Sequence, residues 1–160
     1  MTEAKSAAPQ FSTLTPAIAI RNAAGAMEFY KRAFGAEECS RSLAPDGTRI
    51  LHAVLRFGDA YLMLSDEFPE FGGCQAPQSL GGTTVTLHLN VPDADASFQR
   101  AVEAGATVTM PLDDMFWGDR YGKLADPFGH EWSIGTHIED VSEEEMQRRM
   151  QQEFSATARA

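Results

Sequence analysis

Cysteine is scarce in this sequence: Cys39 and Cys74 are the only two, and they form no CxxC pair. That excludes a zinc ribbon and a dithiol redox motif, and it points to two buried free thiols in a reducing compartment. Long apolar runs are missing as well. No stretch approaches the ~20 residues of a membrane span, and residues 1–10 (MTEAKSAAPQ) lack the apolar core of a signal peptide. Positive charge is in short supply, with 13 Lys and Arg against 23 Asp and Glu and a formal net charge of −10. Binding along a phosphate backbone needs clustered Lys and Arg, so nucleic acid is excluded as a partner. The expectation is a cytoplasmic protein with no membrane or nucleic-acid partner.

What is present reads as a globular chain. Apolar residues make up 43% of the 160, and a chain of this length suits one domain that buries roughly two thirds of its surface. Residues 1–10 are small and polar, a loose tail before a domain over 11–140. A strand is expected over 14–21. Asn22 then reads as a helix N-cap, Ala23, Ala26, Met27, Tyr30, Ala33 and Phe34 recur at helical spacing, and Gly35 stops the helix. Strands follow near 37–43, 48–57 and 60–65, with turns at Pro45-Asp46-Gly47 and Gly58-Asp59. Residues 66–82 are punctuated by Pro and Gly and read as a connecting loop.

The pattern then restarts. TTVTLHLNV is a strand, Asp93 caps a helix ended by Gly105, and strands follow near 106–110, 120–125 and 130–136. Val91 lies 71 positions beyond Ile20, and Gly105 lies 70 beyond Gly35. A repeat of this kind constrains a fold more than any single motif. The sequence therefore predicts an α+β fold of two βαβββ modules, over 12–68 and 82–139, forming half-barrels around a cavity. A C-terminal helix and tail follow over 141–160, opened by Ser142 and Glu145 as a capping box and carrying Met146, Met150 and Phe154 along one stripe.

Strand alternation assigns the faces. Val85, Leu87, Leu89 and Val91 should pack under a helix, leaving Thr84, Thr86, His88 and Asn90 on a polar face that needs water or a ligand. Leu14, Pro16, Ile18 and Ile20 should be the packed face of the first strand. Glu131, Ser133, Gly135 and His137 oppose Trp132 and Ile134, and Tyr61, Met63 and Ser65 oppose Leu62 and Leu64. Polar concave faces on two curved sheets would enclose a small-molecule cavity.

Several residues on these faces are candidates for chemistry or binding. His88 is either an acid/base and pocket residue or a structural histidine bonded to a neighbouring strand. Glu131 is a partner for His88 or a rim carboxylate. His52 lines the pocket or is satisfied structurally. Trp117, Asp119 and Tyr121 alternate along FWGDRYG as an aromatic–acid–aromatic row that suits a flat or cationic ligand, or else a dimer seam.

AIRNAAGAMEFYKRAFGAEE and ADPFGHEWSIGTH resemble the opening and closing signatures of the vicinal oxygen chelate family, the glyoxalase/bleomycin-resistance/dioxygenase superfamily. RILHAVLRFGDAYLMLSDE and FWGDRYGKLADPFGHEWSIGTHIEDV resemble more specifically its PhnB-like subgroup. The resemblance covers about residues 14–150 and implies half-barrel modules around a cavity, often completed as a homodimer. It also implies a divalent metal held by His and Glu on the first and last strands of each module, acting as a Lewis acid on adjacent substrate oxygens.

Carried over by position, those ligand sites fall on Thr15, Thr86, Met63 and Ser133, none of them His or Glu. Hydroxyls and a thioether suit hard divalent ions poorly, so no metal ligand and no cofactor are assigned. A two-residue slip would instead bring His88 and Glu131 to the ligand level and admit a divalent metal. The expected function is binding of a small molecule in the inter-module cavity, with His52, Tyr61, Met63, Thr86, Trp117, Asp119, Tyr121 and Ser133 as binding residues and His88 and Glu131 as any catalytic pair. The alternative is a metal-dependent lyase, transferase or isomerase of glyoxalase type. A structural dimer with a vestigial cavity is a third reading.

Overall fold

The computed structural model describes residues 9–158; most of the N-terminal tail and the last two residues lie outside them. The first module runs β1 (Ala17–Ile20), α1 (Ala23–Phe34), β2 (Glu37–Leu43), β3 (Ile50–Phe57) and β4 (Ala60–Asp66). After a 3-10 turn at Pro69–Phe71 and the single-turn α2 (Pro77–Leu80), the second module repeats the order. It runs β5 (Thr86–Asn90), α3 (Ala94–Ala104), β6 (Thr107–Asp114), β7 (Asp119–Ala125) and β8 (Glu131–His137), and α4 (Glu143–Thr157) closes the chain. The two sheets are ordered β1-β4-β3-β2 and β5-β8-β7-β6. In each, the first strand pairs parallel with the last and the remaining pairs are antiparallel. This is the duplicated βαβββ architecture that the sequence predicts.

Helix α1 begins where Asn22 accepts a hydrogen bond from the Gly25 N–H at 3.0 Å, with Asn22 itself in the left-handed region at φ 64°. A side chain on residue 25 would collide with that cap, since a Cβ there would run into the Asn22 amide. The helix ends at Gly35, also left-handed. Its last carbonyls, on Lys31 and Arg32, accept from the Arg100 guanidinium of α3 at 3.3 and 2.6 Å. A cation on a helix C-terminus satisfies orphan carbonyls and complements the dipole, and here it also locks α1 against α3.

The modules share one core. Trp132 of β8 lies 4.6 Å from Phe34, 5.1 Å from Tyr30 and 5.6 Å from Phe57, ring centre to ring centre. Beneath this cluster sits the buried Asp126 carboxylate. Its Oδ1 accepts from the Phe128 and His130 backbone N–H groups at 2.9 Å each, and its Oδ2 accepts from Tyr30 Oη at 2.6 Å and Trp132 Nε1 at 3.0 Å. Every donor is thereby satisfied, which makes a buried carboxylate tolerable. Asp66 does the analogous work in the first module, accepting from Ala23 N–H at 2.9 Å and Ile50 N–H at 2.7 Å.

Several expectations change. β1 is shorter than 14–21 because Leu14 is 84% exposed and Thr15 turns back to donate to the Ser12 carbonyl, so neither belongs to the sheet. Val85 precedes β5 and is 57% exposed rather than packed under a helix. The cysteines are free, but Cys39 is half-buried on β2 and Cys74 is exposed on the linker, so they are not core thiols. The 66–82 segment is not a plain loop: Glu67 accepts from Ala76 N–H at 2.9 Å and from Ser79 Oγ, and pairs with Arg21 at 2.7 Å. In α4 only half of the capping box forms. Ser142 Oγ accepts from Glu145 N–H, while the Glu145 carboxylate turns to Arg148 and Arg149 instead.

Hydrogen bonds from Ser79, Ala76 and Arg21 draw the Glu67 carboxyl from its ordinary 4.5 down to about 2. A carboxylate whose folded value is depressed stabilises the fold above its unfolded value and loses that contribution as pH falls toward the folded one. The linker should therefore loosen between pH 4.5 and about 2, read as faster amide exchange at Ala76–Leu80. Glu67→Gln should show the fast exchange already at pH 7; protected amides in that variant would remove Glu67 as the anchor.

Candidate functional site

On the second sheet, register places the polar side chains in rows. Thr86 lies opposite Glu131, which lies opposite Ala125, and His88 lies opposite Ser133, which lies opposite Lys123. Thr86 Oγ1 donates to Glu131 Oε1 at 3.0 Å, and Lys123 Nζ pairs with the same oxygen at 2.9 Å. Lys123 and then Thr86 hold the Glu131 carboxyl below its ordinary range, and Glu131 in turn raises Lys123. His88 is held at both nitrogens, Nδ1 to Ser133 Oγ at 2.8 Å and Nε2 to Asn90 Oδ1 at 3.1 Å. Because Asn90 presents an acceptor, Nε2 carries the proton and Nδ1 accepts from the Ser133 hydroxyl. The imidazole stacks on Tyr121, with ring centres 5.8 Å apart, and Gly135 lies beneath both rings.

The row read from FWGDRYG folds in on itself. Trp117 Nε1 donates to Asp119 Oδ2 at 2.9 Å and its ring meets Tyr121 edge-on at 5.5 Å. Asp119 Oδ1 takes His137 Nδ1 at 2.9 Å, and His137 Nε2 reaches Asp140 at 2.8 Å. Two flanking carboxylates, Asp119 first, raise the His137 pKa. Trp117, Asp119 and Tyr121 thus extend the His88 face toward the rim.

Between the modules lies a cavity of about 330 Å³, in the size range of small-molecule sites. Phe57, Ala60 and Tyr61 of the β3–β4 hairpin form one wall; Thr86 and His88 on β5 and the buried Trp132 form the other. Of the residues singled out in the sequence, the structure brings Tyr61, Thr86 and His88 to this cavity. Ser133, Tyr121, Asp119 and Trp117 stand behind His88, and Glu131 behind Thr86. Met63 is half-buried opposite Ala17 in the first sheet, and His52 is exposed on β3 opposite Ser42, away from the cavity. Sequence reading missed Phe57, Ala60 and Trp132 as walls, because their apolar character signalled core alone.

The register also tests the metal positions. Met63 faces Ala17 and Ser133 faces His88, so Thr15 and Thr86 are not the cross-strand partners of Met63 and Ser133. The level offers one imidazole, one hydroxyl and one thioether, and the neighbouring carboxylate, Glu131, is engaged by a lysine. Among the described residues no three His, Cys, Asp or Glu side chains converge where one ion could be held. The donor set does not fit a hard divalent ion.

The family model for the Glyoxalase/Bleomycin resistance protein/Dioxygenase superfamily matches residues 13–134. The chain belongs to this superfamily. It is similar to the uncharacterized protein Rv0887c of Mycobacterium tuberculosis, 49% identical over 139 residues, which cover 86% of this chain and 81% of that one. The crystal structure of TioX from Micromonospora sp. ML1 superposes with a TM-score of 0.64 at 30% identity, covering 79% of this chain and 99% of that one. The PhnB protein from Bacillus cereus, at 19% identity and a TM-score of 0.61 over 78% of this chain and 99% of that one, shares the fold. Among the described residues no helix is long and apolar enough to cross a membrane.

Proposed function

We propose that this superfamily member binds a small organic molecule in the inter-module cavity without a metal ion, with His88 and Thr86 as polar contacts on an otherwise apolar wall. The observation that carries this reading is the closed hydrogen-bonding of the would-be chemistry. His88 is fixed at both nitrogens and Glu131 is neutralised by Lys123. A general base needs a free lone pair within reach of a substrate proton, so this arrangement favours positioning over proton transfer.

A homodimer belongs to the same reading. It is supported by α4, whose Met150 and Phe154 are 41% and 70% exposed and none of whose own residues is buried. A stripe of that kind on a helix gains stability from a second surface. Multi-angle light scattering should return twice the chain mass, with Phe154→Ser shifting it toward the monomer; a monomeric wild type would remove the dimer.

Elemental analysis of protein purified without chelator tests the metal-free reading. Substoichiometric Ni, Mn, Zn and Fe is expected. One equivalent of a divalent metal, lost together with His88→Ala and Glu131→Ala, would restore a metal-dependent lyase or transferase.

A further inference from the structure

The buried Asp126 carboxylate carries a charge that nothing in the core cancels. Its four hydrogen bonds come from neutral donors: the Tyr30 hydroxyl, the Trp132 indole and the Phe128 and His130 backbone N–H groups. The His130 imidazole turns away from it, with Nε2 on the Ala19 carbonyl at 2.9 Å. Among the described residues no Lys, Arg or His side chain pairs with Asp126. Neutral donors solvate a buried charge without cancelling it, and its field reaches further in a low dielectric than in water.

Trp132 stands between that charge and the cavity. Its indole donates to Asp126 Oδ2 at 3.0 Å and also lines the cavity of about 330 Å³. Phe57 lies 5.6 Å from it with the ring planes 30° apart, and Phe57 and Tyr61 line the same cavity. Phe11 meets Tyr61 edge-on, with 5.5 Å between ring centres. Much of the remaining wall is aliphatic, with Leu87 and Leu89 in it. Among the described residues no Lys or Arg lines the cavity. The cations nearby are taken, Arg56 by Glu37 and Lys123 by Glu131. His88 accepts from Ser133 at Nδ1 and adds no positive charge in that tautomer.

We infer that the cavity selects an aromatic organic cation, an aryl-substituted ammonium group. The rings of Phe57 and Tyr61 face its charge, and Asp126 behind Trp132 is the counter-charge. The inference rests on the proposed cavity binding and names its ligand class. Aromatic faces carry the negative end of the ring quadrupole and attract cations, most strongly where water is excluded. A neutral ligand gains only from the apolar walls, and an anion is opposed by the ring faces and by Asp126. A cation alone gains from walls, rings and carboxylate together.

The test is calorimetric titration with four probes, alongside ¹H–¹⁵N spectra that follow the Trp132 indole N–H. The probes are phenyltrimethylammonium, tert-butylbenzene (the same shape without the charge), benzenesulfonate and naphthalene. Phenyltrimethylammonium should shift the indole resonance and bind at least tenfold more tightly than tert-butylbenzene, and benzenesulfonate should bind most weakly. The preference should persist in about 0.5 M NaCl, because salt screens exposed charges far more than buried ones. Asp126→Asn should abolish the preference and leave tert-butylbenzene within about twofold. Phe57→Leu, the second variant should asparagine prevent folding, should weaken the cation at least threefold and tert-butylbenzene less than twofold. Equal affinity for the cation and tert-butylbenzene, with naphthalene bound, overturns the charge selection and leaves cavity binding standing. A preference that vanishes in salt, or that survives Asp126→Asn, overturns Asp126 as the counter-charge. Cation affinity indifferent to Phe57→Leu overturns the role of the ring faces. No heat and no indole shift with any of the four probes overturns the cavity reading with it.

Discussion

Replacing Asp126 by Ala should cost about 4 kcal/mol of unfolding free energy, since each buried donor left without an acceptor costs about 1–3 kcal/mol. Two side-chain donors would be orphaned in the shared core, Tyr30 Oη and Trp132 Nε1, both on buried residues, and the turn N–H groups of Phe128 and His130 would lose their acceptor as well. Against a total stability of roughly 5–15 kcal/mol, that loss decides whether the fold survives at 37 °C. Urea denaturation measures it, and a cost below about 1 kcal/mol would show that water replaces the carboxylate.

The partner Tyr30→Phe removes one donor and leaves Asp126 with three, so about 1 kcal/mol is expected. Its pH dependence separates it from a packing effect. Burial, and then the Asp126 charge, push the Tyr30 phenol well above its ordinary 10.0. A group whose folded pKa is raised contributes fully below its unfolded value and loses that contribution as pH rises. Wild-type stability should therefore fall above pH 10 more steeply than that of Tyr30→Phe.

The second large effect is on binding. At Gly135 a Cβ would lie 3.0 Å from His88 Cε1 and 3.6 Å from Tyr121 Cδ2. Glycine is required here by the close approach of two rings. Gly135→Val places its methyl groups where the imidazole lies, so His88 must leave Ser133 and disturb β5, which forms one wall of the cavity. Affinity for naphthalene, an apolar aromatic probe for this cavity, should drop at least tenfold, about 1.4 kcal/mol, while overpacking costs about 1–3 kcal/mol in stability. Gly135→Ala should give a smaller change in the same direction. Unchanged probe affinity in the valine variant would detach the His88 stack from the cavity.

Much of this architecture is legible in the residues. The 70- and 71-residue offsets, the caps Asn22, Asp93 and Ser142 and the stops Gly35 and Gly105 are local signals, and the helices begin and end on them. Strand faces follow from alternation, which is why Leu62 and Leu64, and Trp132 and Ile134, are correctly placed in the core. Leu14 and Val85 mislead for one reason: alternation continues past the point where a strand still has a partner, and only pairing reveals the end.

The site was readable to a lesser depth. His88, Thr86 and Tyr61 announce themselves as polar residues on strands. Asp126 reads as a turn residue, because its Phe128 bond is local while its Tyr30 bond spans 96 positions.

The most direct measurement is titration of chelator-treated protein with naphthalene, an apolar aromatic probe for the cavity, before and after one equivalent of Ni²⁺ or Mn²⁺. Superimposable isotherms, with one site per chain, are the predicted result. An isotherm that stays flat until metal is supplied would contradict a metal-free binding cavity.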